Sequence, residues 1–164
     1  MGSQSKHRSA LPDAPPELRR LCELAHRTVS GGGAPEMAQA CAEEAEKWGL
    51  PRLASRAWSW VAASELRTLR YRAAAKAYLQ ARDTARRGGD LPMVAVNCFN
   101  LSNVYLHLGS IPAAAAALEE AMALRDRAGN SLSPMMLGLH YARMTARRRG
   151  IDAAAPEFER LLTE

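Results

Sequence analysis

Aromatic side chains are scarce, with three Trp, four Tyr and two Phe in 164 residues, and few stretches are β-branched or alternate apolar with polar. That composition disfavours a β-sandwich or barrel and favours helices. Cysteine occurs three times, as Cys22, Cys41 and Cys98, too few and too scattered for a disulfide-built scaffold. No apolar run approaches the ~20 residues of a membrane span. The polar start, residues 1–12, lacks the apolar core of a secretory signal. Lys6 stands where an N-myristoylation motif at Gly2 needs a hydroxyl. A soluble, cytoplasmic protein with no membrane contact is the expectation.

Chemistry-bearing motifs are missing as well. No Ser lies in a Gly-x-Ser-x-Gly turn, and no Walker loop is present. Gly31-Gly32-Gly33 is not followed by the Lys and hydroxyl residue of a phosphate cradle, and reads as a flexible turn. His7, His26, His107 and His140 form no metal-ligand pair along one helix. Glu43-Glu44, Glu119-Glu120, Glu157 and Glu159 read as solvated helix faces. The expectation is no enzyme, no metal and no cofactor.

Alanine and arginine are abundant. Hydrophobic residues make up 48% and charged ones 24%, as in ordinary globular domains. Only Lys6, Lys47 and Lys76 of the 22 basic residues are lysines, so arginine carries most of the net charge of +5. Breakers fall at Pro15-Pro16, Gly31-Gly32-Gly33, Gly49-Leu50-Pro51, Gly88-Gly89, Gly109, Gly129, Pro134 and Gly150, cutting the chain into helix-sized pieces. Leu18, Leu21, Cys22, Ala25 and Val29 form an apolar stripe at steps of three and four. The pattern predicts eight helices in four hairpins, units of about 14–50, 51–91, 92–133 and 134–164. They follow a loose tail, residues 1–13.

The units repeat with a period of forty. Ala34, Ala74, Ala114 and Ala154 share one column; Ala38, Tyr78, Leu118 and Phe158 a second; Cys41, Ala81, Ala121 and Leu161 a third. In the preceding helices the columns are Leu18, Trp58, Cys98 and Gly138; Leu21, Val61, Leu101 and Tyr141; Cys22, Ala62, Ser102 and Ala142; and Ala25, Glu65, Tyr105 and Thr145. Small residues let two helices approach closely, while larger ones fill the wedge between hairpins. Pro156 fits a helix only within its first turn, for instance with Asp152 as N-cap. Cys22 and Cys41 face one another across the first hairpin in this register, either as two buried thiols or as a redox bridge.

This order of large, small and aromatic positions resembles the tetratricopeptide repeat, in a long variety of about forty residues. The third unit carries it best, through Leu101-Ser102, Tyr105, Gly109, Ala114, Leu118 and Ala121. The resemblance implies an all-α, right-handed superhelical solenoid of about four antiparallel hairpins. It also implies a protein–protein interaction module, an adaptor, scaffold or bacterial regulatory domain, whose first helices line a concave groove. The lining residues would be Arg56, Ser59 and Arg67; Val96, Phe99, Asn103 and His107; and Met136, Leu139, Arg143 and Arg147. An acidic segment with a hydrophobic anchor suits such a surface. The family's clamp for chaperone C-termini finds Asn100 but not its basic partners.

Phe158, Leu161 and Leu162 would form an exposed apolar edge at the C-terminus, to be covered by a partner, a second copy or a larger assembly. Two other readings are a small chaperone of this type for secreted proteins and an arginine-rich RNA-binding helical protein. The arginines lie mainly near helix C-termini, where they complement exposed carbonyls. Only Tyr71 accompanies them as a stacking aromatic, which disfavours nucleic acid.

Overall fold

A computed structural model of the protein describes residues 14–125 and 132–163, the last two by backbone alone. The expected tail, residues 1–13, and the stop at Gly129 lie outside the described residues. Eight helices and no strand occur among the described residues, so the protein is all-α. No described helix is long and apolar enough to cross a membrane. The chain divides into two compact units, Met1–Asp90 and Leu91–Glu164.

The first unit holds α1 (Pro16–Ser30), α2 (Glu36–Lys47), α3 (Pro51–Arg67) and α4 (Tyr71–Arg87). Proline opens α1 and α3, where a missing N–H costs nothing. Each helix packs on the next, and α1 also touches α3. Ala42, Ala45, Ala54, Ala57, Ala62, Ala74, Ala81 and Ala85 are wholly buried, with Leu18, Leu53, Val61 and Tyr78 filling the space between. Because alanine cores bring backbones close, short hydroxyls can bridge them. Ser55 Oγ donates to the Ala81 carbonyl at 2.8 Å, joining α3 to α4.

Helix ends recur at intervals of twenty. Gly49, Leu69, Gly89 and Gly109 all have φ between 60° and 73°. After each, the next residue's N–H reaches back to close the helix: Leu50 to Ala45, Arg70 to Glu65, Asp90 to Ala85 and Ser110 to Tyr105, at 2.9–3.0 Å. This is the Schellman stop, which wants glycine because a Cβ crowds the left-handed conformation. Leu69 meets that demand without glycine, so no breaker marks it in the sequence.

The first hairpin departs from the period. Helices α4, α6 and α8 begin at Tyr71, Ile111 and Ile151, forty apart, whereas α2 begins at Glu36. Ala34 is exposed in the connection, while Ala74, Ala114 and Ala154 are wholly buried. Its place in the small-residue column is therefore corrected: Pro35 disfavours helical geometry at the residue before it, removing the first turn of α2. Further along, Ala38, Cys41 and Ala45 are buried in step with Tyr78, Ala81 and Ala85. Cys22 of α1 and Cys41 of α2 are joined as a disulfide, with Cα atoms 5.6 Å apart.

The second unit holds α5 (Leu91–His107), α6 (Ile111–Arg125), α7 (Pro134–Arg149) and α8 (Ile151–Thr163). Val94, Cys98, Leu101, Val104, Leu118, Leu137 and Ala142 build its core. Here α5 packs on α6 and α7, α6 on α7, and α7 on α8. Gly150, at φ 95°, turns the chain in one residue, so α8 starts early enough to leave Pro156 inside the helix and beyond its first turn. The expectation of a first-turn proline is corrected accordingly; the ring removes the hydrogen bond otherwise made to Asp152.

Candidate functional site

In the first unit the expected lining residues all project from α3. Arg56 and Ser59 are half-buried, and Ser59 Oγ donates to the Ser55 carbonyl at 3.0 Å. Arg67 is exposed, with Nη2 3.4 Å from the Gly33 carbonyl, which also accepts from Ser64 Oγ at 2.9 Å. These two donors fasten the glycine connection to α3. The opposite side of the unit carries a carboxylate hub. Glu46 Oε1 accepts from Trp58 Nε1 and Gln80 Nε2 at 3.2 Å, Thr84 Oγ1 at 3.3 Å and Arg87 Nη2 at 3.4 Å, tying α2 to α3 and α4.

In the second unit the expected residues separate. Val96 and Asn103 of α5 are half-buried and His107 is exposed. Phe99 is buried at 9% exposure, which corrects its assignment to the groove surface. Its ring meets His140 of α7 edge-on, centroids 5.3 Å apart, because these helices pack closely enough to enclose both rings. On α7, Met136 and Leu139 are 48% and 47% exposed, and Arg143 and Arg147 are exposed. The steps of three, four and four put all four on one helix face. Arg147 Nη1 also donates to the Leu106 carbonyl near the end of α5, at 3.3 Å.

Beneath this stripe lies a polar contact in an apolar core. His140 is 2% exposed, with Nε2 2.6 Å from Ser102 Oγ. Ser102 donates its proton to the Ala114 carbonyl at 2.7 Å, so its oxygen accepts from His140 Nε2–H. His140 Nδ1 is buried without a hydrogen-bond partner. Burial, and then the nearby Arg143 charge, push the His140 pKa down to about 4. The imidazole is held neutral and linked to a small-column serine, an arrangement that packs α7 on α5.

The C-terminal edge is less open than expected. Phe158 and Leu161 are half-buried, and the Leu162 side chain lies outside the described residues. Leu161 settles against Gly138, where an added Cβ would lie 2.6 Å from Leu161 Cδ2. Missing from the expected set is a cleft of about 550 Å³ between α6, α7 and α8, walled by Met122, Leu137, Tyr141 and Leu161 with Arg125 and Arg160 at its rim. Arg160 pairs with Glu157 at 2.5 Å there. The signal for it was Gly138, a glycine in a column of larger residues.

Among the described residues no cluster of His, Cys, Asp and Glu has a metal-binding arrangement. Compared with models of protein families and with curated proteins, the chain has no match.

Proposed function

We propose that the protein is a tetratricopeptide-like interaction module, its four hairpins arranged as a right-handed superhelix, that holds its partner without a chemical step. The observation carrying this reading is the α7 stripe. Met136 and Leu139 leave about half their surface to water beside exposed Arg143 and Arg147. Apolar side chains flanked by guanidinium groups favour an acidic peptide with a large hydrophobic anchor, since arginine binds carboxylates in paired hydrogen bonds. In this reading Val96, Asn103 and His107 of α5 belong to the groove that the stripe borders. Phe99 lies inside, its ring against His140.

The test is selection from a displayed library of random twelve-residue peptides against the full chain, with the Leu139→Ala, Arg143→Glu double variant as counter-target. Peptides enriched in Asp or Glu around Leu, Phe or Trp, binding the variant at least tenfold more weakly, are the expected result. Both substitutions are on the surface, so the variant should melt within a few degrees of the wild type. Enriched peptides that bind both proteins equally would remove the α7 stripe from the proposal.

A further inference from the structure

We propose that Cys22 and Cys41 form a reversible redox clasp on the first hairpin. They belong to columns that the other hairpins fill with Ala62 and Ala81, Ser102 and Ala121, and Ala142 and Leu161. Thus only in the first hairpin does this pair of columns carry two thiol residues. Cys22 is 3% exposed and Cys41 wholly buried, and their Cα atoms, 5.6 Å apart, are at the separation a disulfide spans without backbone movement.

This hairpin also needs a tie. Helix α2 has 12 residues where α4 has 17, having lost its first turn before Pro35. Between α3 and α4, Ser55 donates to a main-chain carbonyl at 2.8 Å; between α1 and α2, Thr28 Oγ1 meets Met37 Sδ, a weaker acceptor, at 3.7 Å on the surface. A covalent link supplies what the packing lacks. In the reduced state two thiols fill the small-residue positions as compact apolar groups, so the hairpin stays closed in both states.

The exchange balances with a low-molecular-weight disulfide such as oxidised glutathione. One cysteine thiolate attacks it, forming a mixed disulfide and releasing one small thiolate. The second cysteine thiolate attacks the protein sulfur of that mixed disulfide and releases the other. Two protein thiols and one small disulfide become one protein disulfide and two small thiols, and excess thiol reverses the sequence. Since both cysteines are buried, either direction waits for α1 to lift from α2. Closing a loop of 19 residues makes that opening about 100-fold rarer.

The full chain, equilibrated in glutathione buffers of fixed ratio, is quenched with acid, denatured and labelled with a maleimide. Three labels are expected in the reduced buffer and one, on Cys98, in the oxidised buffer, with peptides holding Cys22 and Cys41 linked. Native hydrogen exchange over residues 16–47 should slow about 100-fold on oxidation, while residues 91–125 stay unchanged. The Cys22→Ala, Cys41→Ala variant should lose the redox dependence; the wild-type comparison stands even if that variant folds poorly. Three labels at every glutathione ratio, or equal exchange over residues 16–47 in both states, would overturn the clasp.

Discussion

Leu69 carries a backbone conformation that its own side chain opposes. At φ 60° it stands where Gly49, Gly89 and Gly109 stand in neighbouring helix stops, and its side chain is 67% exposed. Little burial is lost with the side chain, so Leu69→Gly should stabilise the protein by about 0.5–1 kcal/mol in urea unfolding. A destabilised variant would mean that the leucine packs more than its exposure indicates. His140 gives the second residue-scale prediction. Its pKa near 4 when folded lies below the 6.5 of a free imidazole, so the unfolded chain binds the proton first. The resulting stabilisation is complete above pH 6.5, falls as pH drops from 6.5 to 4, and changes no further below that. Urea midpoints measured across this window should fall by roughly 1–3 kcal/mol equivalent, and by much less in His140→Gln. Neither residue was legible beforehand. Leu69 looks like any exposed leucine, and His140 is enclosed only because α5 and α7 meet around it.

At the scale of elements, sequence spacing described the later hairpins better than the first. Ala74, Ala114 and Ala154 occupy equivalent buried sites, each the fourth residue of its helix. The contrast with exposed Ala34 supplies a paired test. Ala114→Trp should overpack α6 against α5 and cost ~1–3 kcal/mol or more. By comparison Ala34→Trp should change stability by no more than about 0.5 kcal/mol. Equal effects in denaturant titrations would dissolve the distinction. The repeat was visible because small and large residues recur at fixed helical steps. The missing first turn of α2 was not, since a fixed period conceals local backbone geometry at Pro35. Phe99 shows the same limit on the site: its position on α5 suits either a groove or an interior, and the close approach of α7 places it inside.

For the whole molecule, arginine sets the long-range field: the net charge is +5. Many arginines also sit in the last turns of helices, including Arg86, Arg87, Arg125 and Arg147–Arg149, where they complement the helix dipole. An acidic peptide selected on the α7 stripe should therefore bind about tenfold more weakly at 0.5 M than at 0.05 M salt, because screening weakens exposed charge pairs. The ratio of wild-type to Leu139→Ala affinity should persist, because apolar burial is not screened. Isothermal titration at both salts separates the two contributions. Sequence by itself determined the all-helical class, the alanine-lined interior and the forty-residue recurrence, since each follows from local propensity and helical periodicity. Only the tertiary structure decided between the two readings of Cys22 and Cys41, joining them as a disulfide, and enclosed Phe99 and His140. Those outcomes depend on which helix faces approach one another, and the order of residues along one helix does not contain its neighbour.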